Sequence, residues 1–136
     1  MSRSGWRLAW VAAIVVAIGA CDPAAIVQGT RQVNDIIELE VQLPPPGADA
    51  EQAVAVAREA AVGIDREYGV DLSRSPDVVE YGIARCTEAP SCLGAEAGPG
   101  PWTVWHIRWQ PDARASWIAT LLDPTTGDYI WLGAGE

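Results

Sequence analysis

The chain has 136 residues and a formal net charge of −9, with nine Arg, no Lys and 18 acidic residues. This length is enough for one domain and not comfortably for two. An acidic surface repels phosphate backbones, so the charge argues against nucleic-acid binding and against a grip on anionic lipid through basic residues. Phe is absent and Trp occurs seven times, so Trp, Leu, Ile and Val must fill the interior.

The first 20 residues have the pattern of a secretory signal peptide helix. Arg3 and Arg7 form a short basic region, and the apolar run over residues 8–20 is too short for a permanent membrane-spanning helix. The run ends in Ile18-Gly19-Ala20-Cys21, which resembles the lipobox of bacterial lipoproteins. A plain signal peptide and an uncleaved anchor are the alternatives.

The lipobox resemblance implies a location for the protein in the cell and a domain organisation. It implies removal of the signal peptide over residues 1–20, acylation of Cys21, and a lipid anchor that holds the protein outside the cytoplasm, on the periplasmic side of a membrane or at the cell surface. Residues 21–34 would then be the lipidated Cys and its tether, and residues 35–136 the folded domain.

The three cysteines are consistent with this extracytoplasmic location. If Cys21 is lipidated, Cys86 and Cys92 remain as a pair, and the five residues between them can close a small disulfide loop in an oxidising compartment. Two free thiols or half of a metal site are the alternatives. The only His is His106, so a zinc site has too few ligands, and we expect neither metal nor cofactor.

A strand and a helix follow the tether. Residues 36–43 alternate between apolar and polar side chains, which predicts a strand with one buried face. Asp49 and Gln52 form a capping-box pattern, and a stripe of small apolar residues from Val54 to Tyr68 predicts one helix. Gly63 allows a kink or an early end, and Gly69 is a plausible stop.

The rest of the chain reads as strands. Residues 78–85 form one candidate and residues 87–101 a loop, after which residues 102–109 and 116–122 form two further strands. A Pro/Gly turn then leads to a short last strand. The pattern predicts an α+β fold of β-α-β-β-β order, with one helix packed across a curved antiparallel sheet of four to five strands.

The helix, the strand pair and the closing turn together resemble a PepSY-type domain. The matching segments are residues 51–61, 102–109, 119–122 and 123–130. The resemblance implies a PepSY/cystatin-like topology and an extracytoplasmic module that binds a partner, which in protease propeptides it restrains. It implies no catalytic residue.

The candidate binding residues are tryptophans: Trp102, Trp105, Trp109 and Trp117. They either replace Phe in the core or form an exposed patch on the face of the sheet without the helix. His106 could form a Ser–His–Asp triad only with Ser116 and Asp123, but neither a nucleophile elbow nor an activating spacing accompanies these two residues. We therefore interpret His106 as a surface or rim residue rather than a catalytic base.

The favoured function is therefore a non-catalytic, membrane-anchored module that binds an envelope protein or peptide. A structural envelope lipoprotein without a discrete ligand is one alternative. A small-ligand carrier or pocket enzyme on a cystatin-like fold is the other.

Overall fold

The computed structural model describes residues 27–88, 92–93 and 100–136. The predicted signal peptide, the lipobox and Cys21 lie outside these residues, as does most of the predicted loop before residue 102. Within the described part of the chain, no helix is long and apolar enough to cross a membrane.

The fold is α+β, with six strands in one antiparallel sheet and two short helices. The strands lie in the sheet in chain order, and both helices fall between the second and third strands. The elements are β1 (Val27–Gln32), β2 (Ile37–Gln42), α1 (Ala50–Ala60), α2 (Ile64–Tyr68), β3 (Val78–Cys86), β4 (Trp102–Trp109), β5 (Trp117–Leu122) and β6 (Tyr129–Gly135).

The first strand was not expected. We predicted four to five strands and placed residues 21–34 in a tether, whereas β1 pairs with β2 along its length. The segment VQGTRQ has no run of alternating apolar side chains, so nothing local indicates a strand. Its backbone is ordered by the partner strand, with Arg31 opposite Leu39 and Thr30 opposite Glu40.

The predicted helix is divided in two. Asp49 caps α1, since its Oδ1 accepts a hydrogen bond from the backbone N–H of Gln52 at 3.0 Å. Gly63 has φ of 101°, which stops the first helix, and α2 ends at Gly69 with φ of 67°. The early end at Gly63 and the stop at Gly69 are therefore confirmed.

Helix α1 packs across one face of the sheet, as predicted. Its small side chains Ala53 and Ala57, and Ala61 at its C-terminal cap, are buried against large residues of β4 and β5. Small residues let a helix approach the sheet closely, so the bulk of this core comes from the strands. The principal strand residues in it are Trp105, Ile107, Trp109, Ile118 and Leu122.

The opposite face of the sheet is also buried, around a second apolar cluster of Val33, Ile37, Leu39, Ala84, Val104 and Leu121. The β1–β2 hairpin bends over this face, since Arg108 Nη1 of β4 donates a hydrogen bond to the carbonyl of Val33 at 3.1 Å. Arg31 pairs with Leu39 of β2, which pairs with Ala84 of β3, yet Arg31 Nε lies 2.5 Å from the carboxylate of Glu80, four residues before Ala84. In a flat sheet, the backbones of Arg31 and Glu80 would be roughly 16 Å apart. The end of β1 therefore lies over β3 and β4.

Candidate functional site

The four candidate tryptophans do not form one surface. Trp105 and Trp109 are 5% and 0% exposed and belong to the core under α1, so the interpretation that these two replace Phe is confirmed. Trp109 Nε1 also donates a hydrogen bond to the carbonyl of Arg74 at 3.0 Å. Trp102 and Trp117 are half-buried and point to the opposite face. Binding at these two positions stays a prediction.

A groove of about 640 Å³ opens beside the N-terminus of α1. One wall is the loop after β2 with the start of α1, and the other is the turn between β5 and β6. Tyr81 and Trp105 are cross-strand neighbours in its floor, with ring centroids 5.4 Å apart in an edge-to-face arrangement. The exposed Thr103 continues this lining. Trp102 packs against the cluster on the opposite face and borders the groove only at the start of β4.

Carboxylates stand on both walls of the groove. Asp49 caps α1 on one wall, and Asp123 on the other accepts hydrogen bonds from the backbone N–H groups of Thr125 and Thr126 at 2.7 and 3.3 Å. The turn is the one expected from Asp123 to Gly127, which has φ of 79°. None of the described residues that line the groove is an Arg. The groove therefore offers the half-buried Tyr81 between two carboxylates.

A second, smaller cavity of about 210 Å³ lies on the opposite face of the sheet. It is lined by Arg31, Gln32, Val78, His106, Arg108 and Gln110. His106 is fully buried, so its interpretation as a surface or rim residue is wrong. Alternation along β4 places His106 on this face together with Arg108. The end of β1 lies over the same cavity, and the sequence has no local signal for that contact.

His106 is paired with Glu80, a residue that the sequence analysis did not single out. The two are in register on neighbouring strands, and His106 Nδ1 lies 3.2 Å from Glu80 Oε1. Because a carboxylate only accepts, the neutral imidazole donates its Nδ1 hydrogen and carries a lone pair on Nε2. Nε2 is buried and has no hydrogen-bond partner among the described residues.

Burial lowers the pKa of His106 below 6.5, and the hydrogen bond to Glu80 opposes this only in part. Burial alone would raise the pKa of Glu80, but hydrogen bonds from His106 and Arg31 outweigh it and hold that pKa below its ordinary value. At neutral pH the pair is therefore a neutral imidazole beside a carboxylate.

Arg108 is held in place at the same cavity. Its Nε donates to Gln110 Oε1 at 2.8 Å and its Nη1 to the carbonyl of Val33 at 3.1 Å. Its guanidinium lies 4.4 Å from the ring centroid of Trp117, a cation–π distance. Burial, and then the nearby charge of Arg31, lower the pKa of Arg108. Two guanidinium groups thus face one cavity.

The expected disulfide is present, with the Sγ atoms of Cys86 and Cys92 2.03 Å apart. The backbone N–H of Cys92 also donates to Cys86 Sγ at 2.8 Å. Across the described ranges, no three His, Cys, Asp or Glu side chains are arranged to hold a metal ion. No protein-family model, curated protein or solved structure matches the chain, so its function is argued from the two cavities themselves.

Proposed function

We propose that this chain is a lipid-anchored, extracytoplasmic, non-catalytic module that binds a basic peptide segment of an envelope protein. The groove between α1 and the β5–β6 turn carries this proposal. The half-buried Tyr81 and the exposed Pro45 and Pro46 give an extended chain an apolar contact surface. Asp49 and Asp123 provide opposite charge for Lys or Arg side chains.

The charge of the whole chain supports a basic partner. The net charge is −9, and the fixed carboxylates in the groove have no Arg beside them among its described lining residues. Such a field attracts cationic segments and repels acidic ones before contact is made. An acidic partner would be repelled electrostatically both by the carboxylates of the groove and by the surrounding acidic surface.

The lipid anchor and the compartment rest on the sequence of the first 21 residues. Cys21 follows a lipobox-like Ile18-Gly19-Ala20, and a Cys86–Cys92 disulfide suits an oxidising compartment. Globomycin, which blocks lipoprotein signal peptidase, is expected to cause accumulation of a precursor that retains residues 1–20. Unchanged processing would contradict the lipid anchor while leaving the groove untouched.

The PepSY/cystatin-like topology belongs to the same proposal. The helices connect two neighbouring antiparallel strands and α1 lies across the sheet, which is the arrangement that this topology requires. The chain differs from the expected pattern in its additional strand β1.

Peptide binding can be measured with defined probes. The full-length chain, purified in a nonionic detergent, is titrated into a fluorescent decapeptide of alternating Arg and Val, and into its Glu–Val counterpart. We expect saturable binding of the basic peptide, weakened by salt, and no binding of the acidic one. Equal binding of the two peptides, or of neither, would contradict the proposal.

Variants that remove the charge of Asp49 and Asp123 test whether the peptide binds in the groove. Asp49→Asn combined with Asp123→Asn keeps both backbone caps and removes both charges. Two exposed ion pairs at about 0.2–1 kcal/mol each predict a twofold to thirtyfold loss of affinity. Asp112→Asn is the matched control, because Asp112 caps the backbone N–H of Arg114 in an exposed turn outside the groove. Equal effects of the two changes would exclude the groove.

A small-ligand carrier is the second candidate, because a volume of about 640 Å³ lies in the range of small-molecule sites. Binding of agmatine, a decarboxylated arginine, distinguishes the small-ligand carrier from the peptide-binding module. Agmatine that binds as tightly as the decapeptide would favour the carrier over the peptide module.

A further inference from the structure

The cavity beside His106 has a surplus of positive charge in an otherwise acidic protein. Arg31 and Arg108 line it, Glu80 is the one carboxylate bound to either of them in the described structure, and His106 is neutral. We propose that this cavity binds a small oxyanion, a carboxylate or a phosphate group, through the guanidinium groups of Arg31 and Arg108. This site is separate from the peptide groove and does not depend on it.

Both arginines have hydrogen-bond donors left for a ligand. Arg31 uses its Nε for Glu80, and Arg108 uses its Nε and Nη1 for Gln110 and Val33. Within the described residues, Arg31 Nη1 and Nη2 and Arg108 Nη2 make no hydrogen bond. Guanidinium N–H groups match the spacing of carboxylate and phosphate oxygens and bind them in pairs.

The position of Arg108 is set before any ligand arrives. The ring of Trp117 and the carbonyl of Val33 hold its guanidinium in one orientation, so little side-chain entropy is lost on binding. The mutual repulsion of Arg31 and Arg108, which contributes to the lowered pKa of Arg108, would be relieved by an anion between them.

The remaining lining sets the size and the contacts of the ligand. A volume of about 210 Å³ accommodates one phosphate or carboxylate group and not an extended chain. Gln32 and Gln110 add neutral polar groups at the wall. The imidazole of His106 contributes a wall rather than a donor, because its Nδ1 hydrogen is committed to Glu80 and its Nε2 is buried.

The test is calorimetric titration of the full-length chain in nonionic detergent with sodium phosphate and with sodium acetate, against sodium chloride at equal ionic strength. We expect saturable one-to-one binding of phosphate, acetate or both, and none of chloride. Tighter binding of phosphate assigns a phosphate group to the natural ligand, and tighter binding of acetate assigns a carboxylate. Heats that match those of chloride for both anions would overturn the proposal.

Arg31→Gln is the diagnostic variant, because the Arg31 side chain is half-exposed and is not a core residue. It should weaken anion binding at least about tenfold, equivalent to about 1.4 kcal/mol, whereas Arg31→Lys should retain part of the affinity. Arg85→Gln is the matched control, since Arg85 is a similarly exposed arginine paired with Glu40 on the other face of the sheet. Equal effects of Arg31→Gln and Arg85→Gln would overturn the proposal.

A measurement on the unaltered protein covers the case in which Arg31→Gln does not fold. Phosphate or acetate should shift the indole N–H resonance of Trp117, whose ring lies under Arg108, and the shift should saturate together with the calorimetric signal. A Trp117 resonance that does not move at saturating anion would overturn the assignment of this cavity.

Discussion

The buried His106 should make the protein less stable as the pH falls through the weakly acidic range. Its pKa lies below 6.5 in the folded protein because burial penalises the imidazolium, and it returns to the ordinary value on unfolding. Below pH 6.5 the unfolded chain therefore binds a proton that the folded chain does not. The free energy of unfolding then falls by up to about 1.4 kcal/mol per pH unit, until the pH reaches the folded pKa of His106.

Glu80 acts in a lower pH window. Its pKa is held below 4.5 in the folded protein, so the stability that it contributes is complete above that value and is lost only as the pH falls through the folded pKa. Urea unfolding between pH 7.5 and pH 5 therefore isolates the contribution of His106 within this pair.

His106→Asn is the informative variant for this measurement. The Asn amide can stand where Nδ1 of the imidazole stands and donate to Glu80, while the titrating ring is removed. We expect the variant to be less stable than the wild type at pH 7.5, because it leaves a cavity, but to have the flatter pH profile. Parallel profiles for the two proteins, or a wild-type profile without a slope from pH 6.5 to pH 5, would refute the reasoning.

Two further changes probe the core and the loop. Trp109→Ala removes a fully buried ring and its hydrogen bond to Arg74, so we expect a loss of about 3–5 kcal/mol in urea unfolding; a loss below about 1 kcal/mol would show that Trp109 is not a core residue in solution. Replacing Cys86 and Cys92 together by Ser opens a loop with a sequence separation of 6. For so short a loop the expected loss is about 2 kcal/mol, and thermal unfolding of oxidised wild type and double variant at the same midpoint would contradict it.

Features set by neighbours in the sequence could be predicted before the structure was known. The cap at Asp49, the stop at Gly69 and the turn from Asp123 to Gly127 each depend on a few adjacent residues. The two faces of β4 follow from alternation alone, which separates Trp105 and Trp109 from His106 correctly. The helix stripe of small residues indicated close packing on the sheet, as α1 shows.

Features set by distant segments could not be predicted in this way. Strand β1 is polar and is ordered by β2, so its own residues carry no strand pattern. The pairing of His106 with Glu80 depends on the register between β3 and β4, two strands that are separated by 15 residues in the chain. The position of Arg31 beside both depends on how the β1–β2 hairpin bends over β3 and β4. The cavity beside His106 is therefore a tertiary feature, whereas the turn from Asp123 to Gly127, which lines the groove, could be predicted from the sequence.

The position of the helices between β2 and β3 has a consequence for how the molecule assembles. The connection from β2 to β3 contains both helices, and Ile37 of β2 pairs with Cys86 of β3. The entropic cost of closing a loop rises with its length. We therefore expect β3 to β6 to form early, with the β1–β2 hairpin joining last. The same docking step brings Arg31, Gln32 and the carbonyl of Val33 to Arg108 of β4. An anion that bridges Arg31 and Arg108 would therefore also hold the hairpin closed.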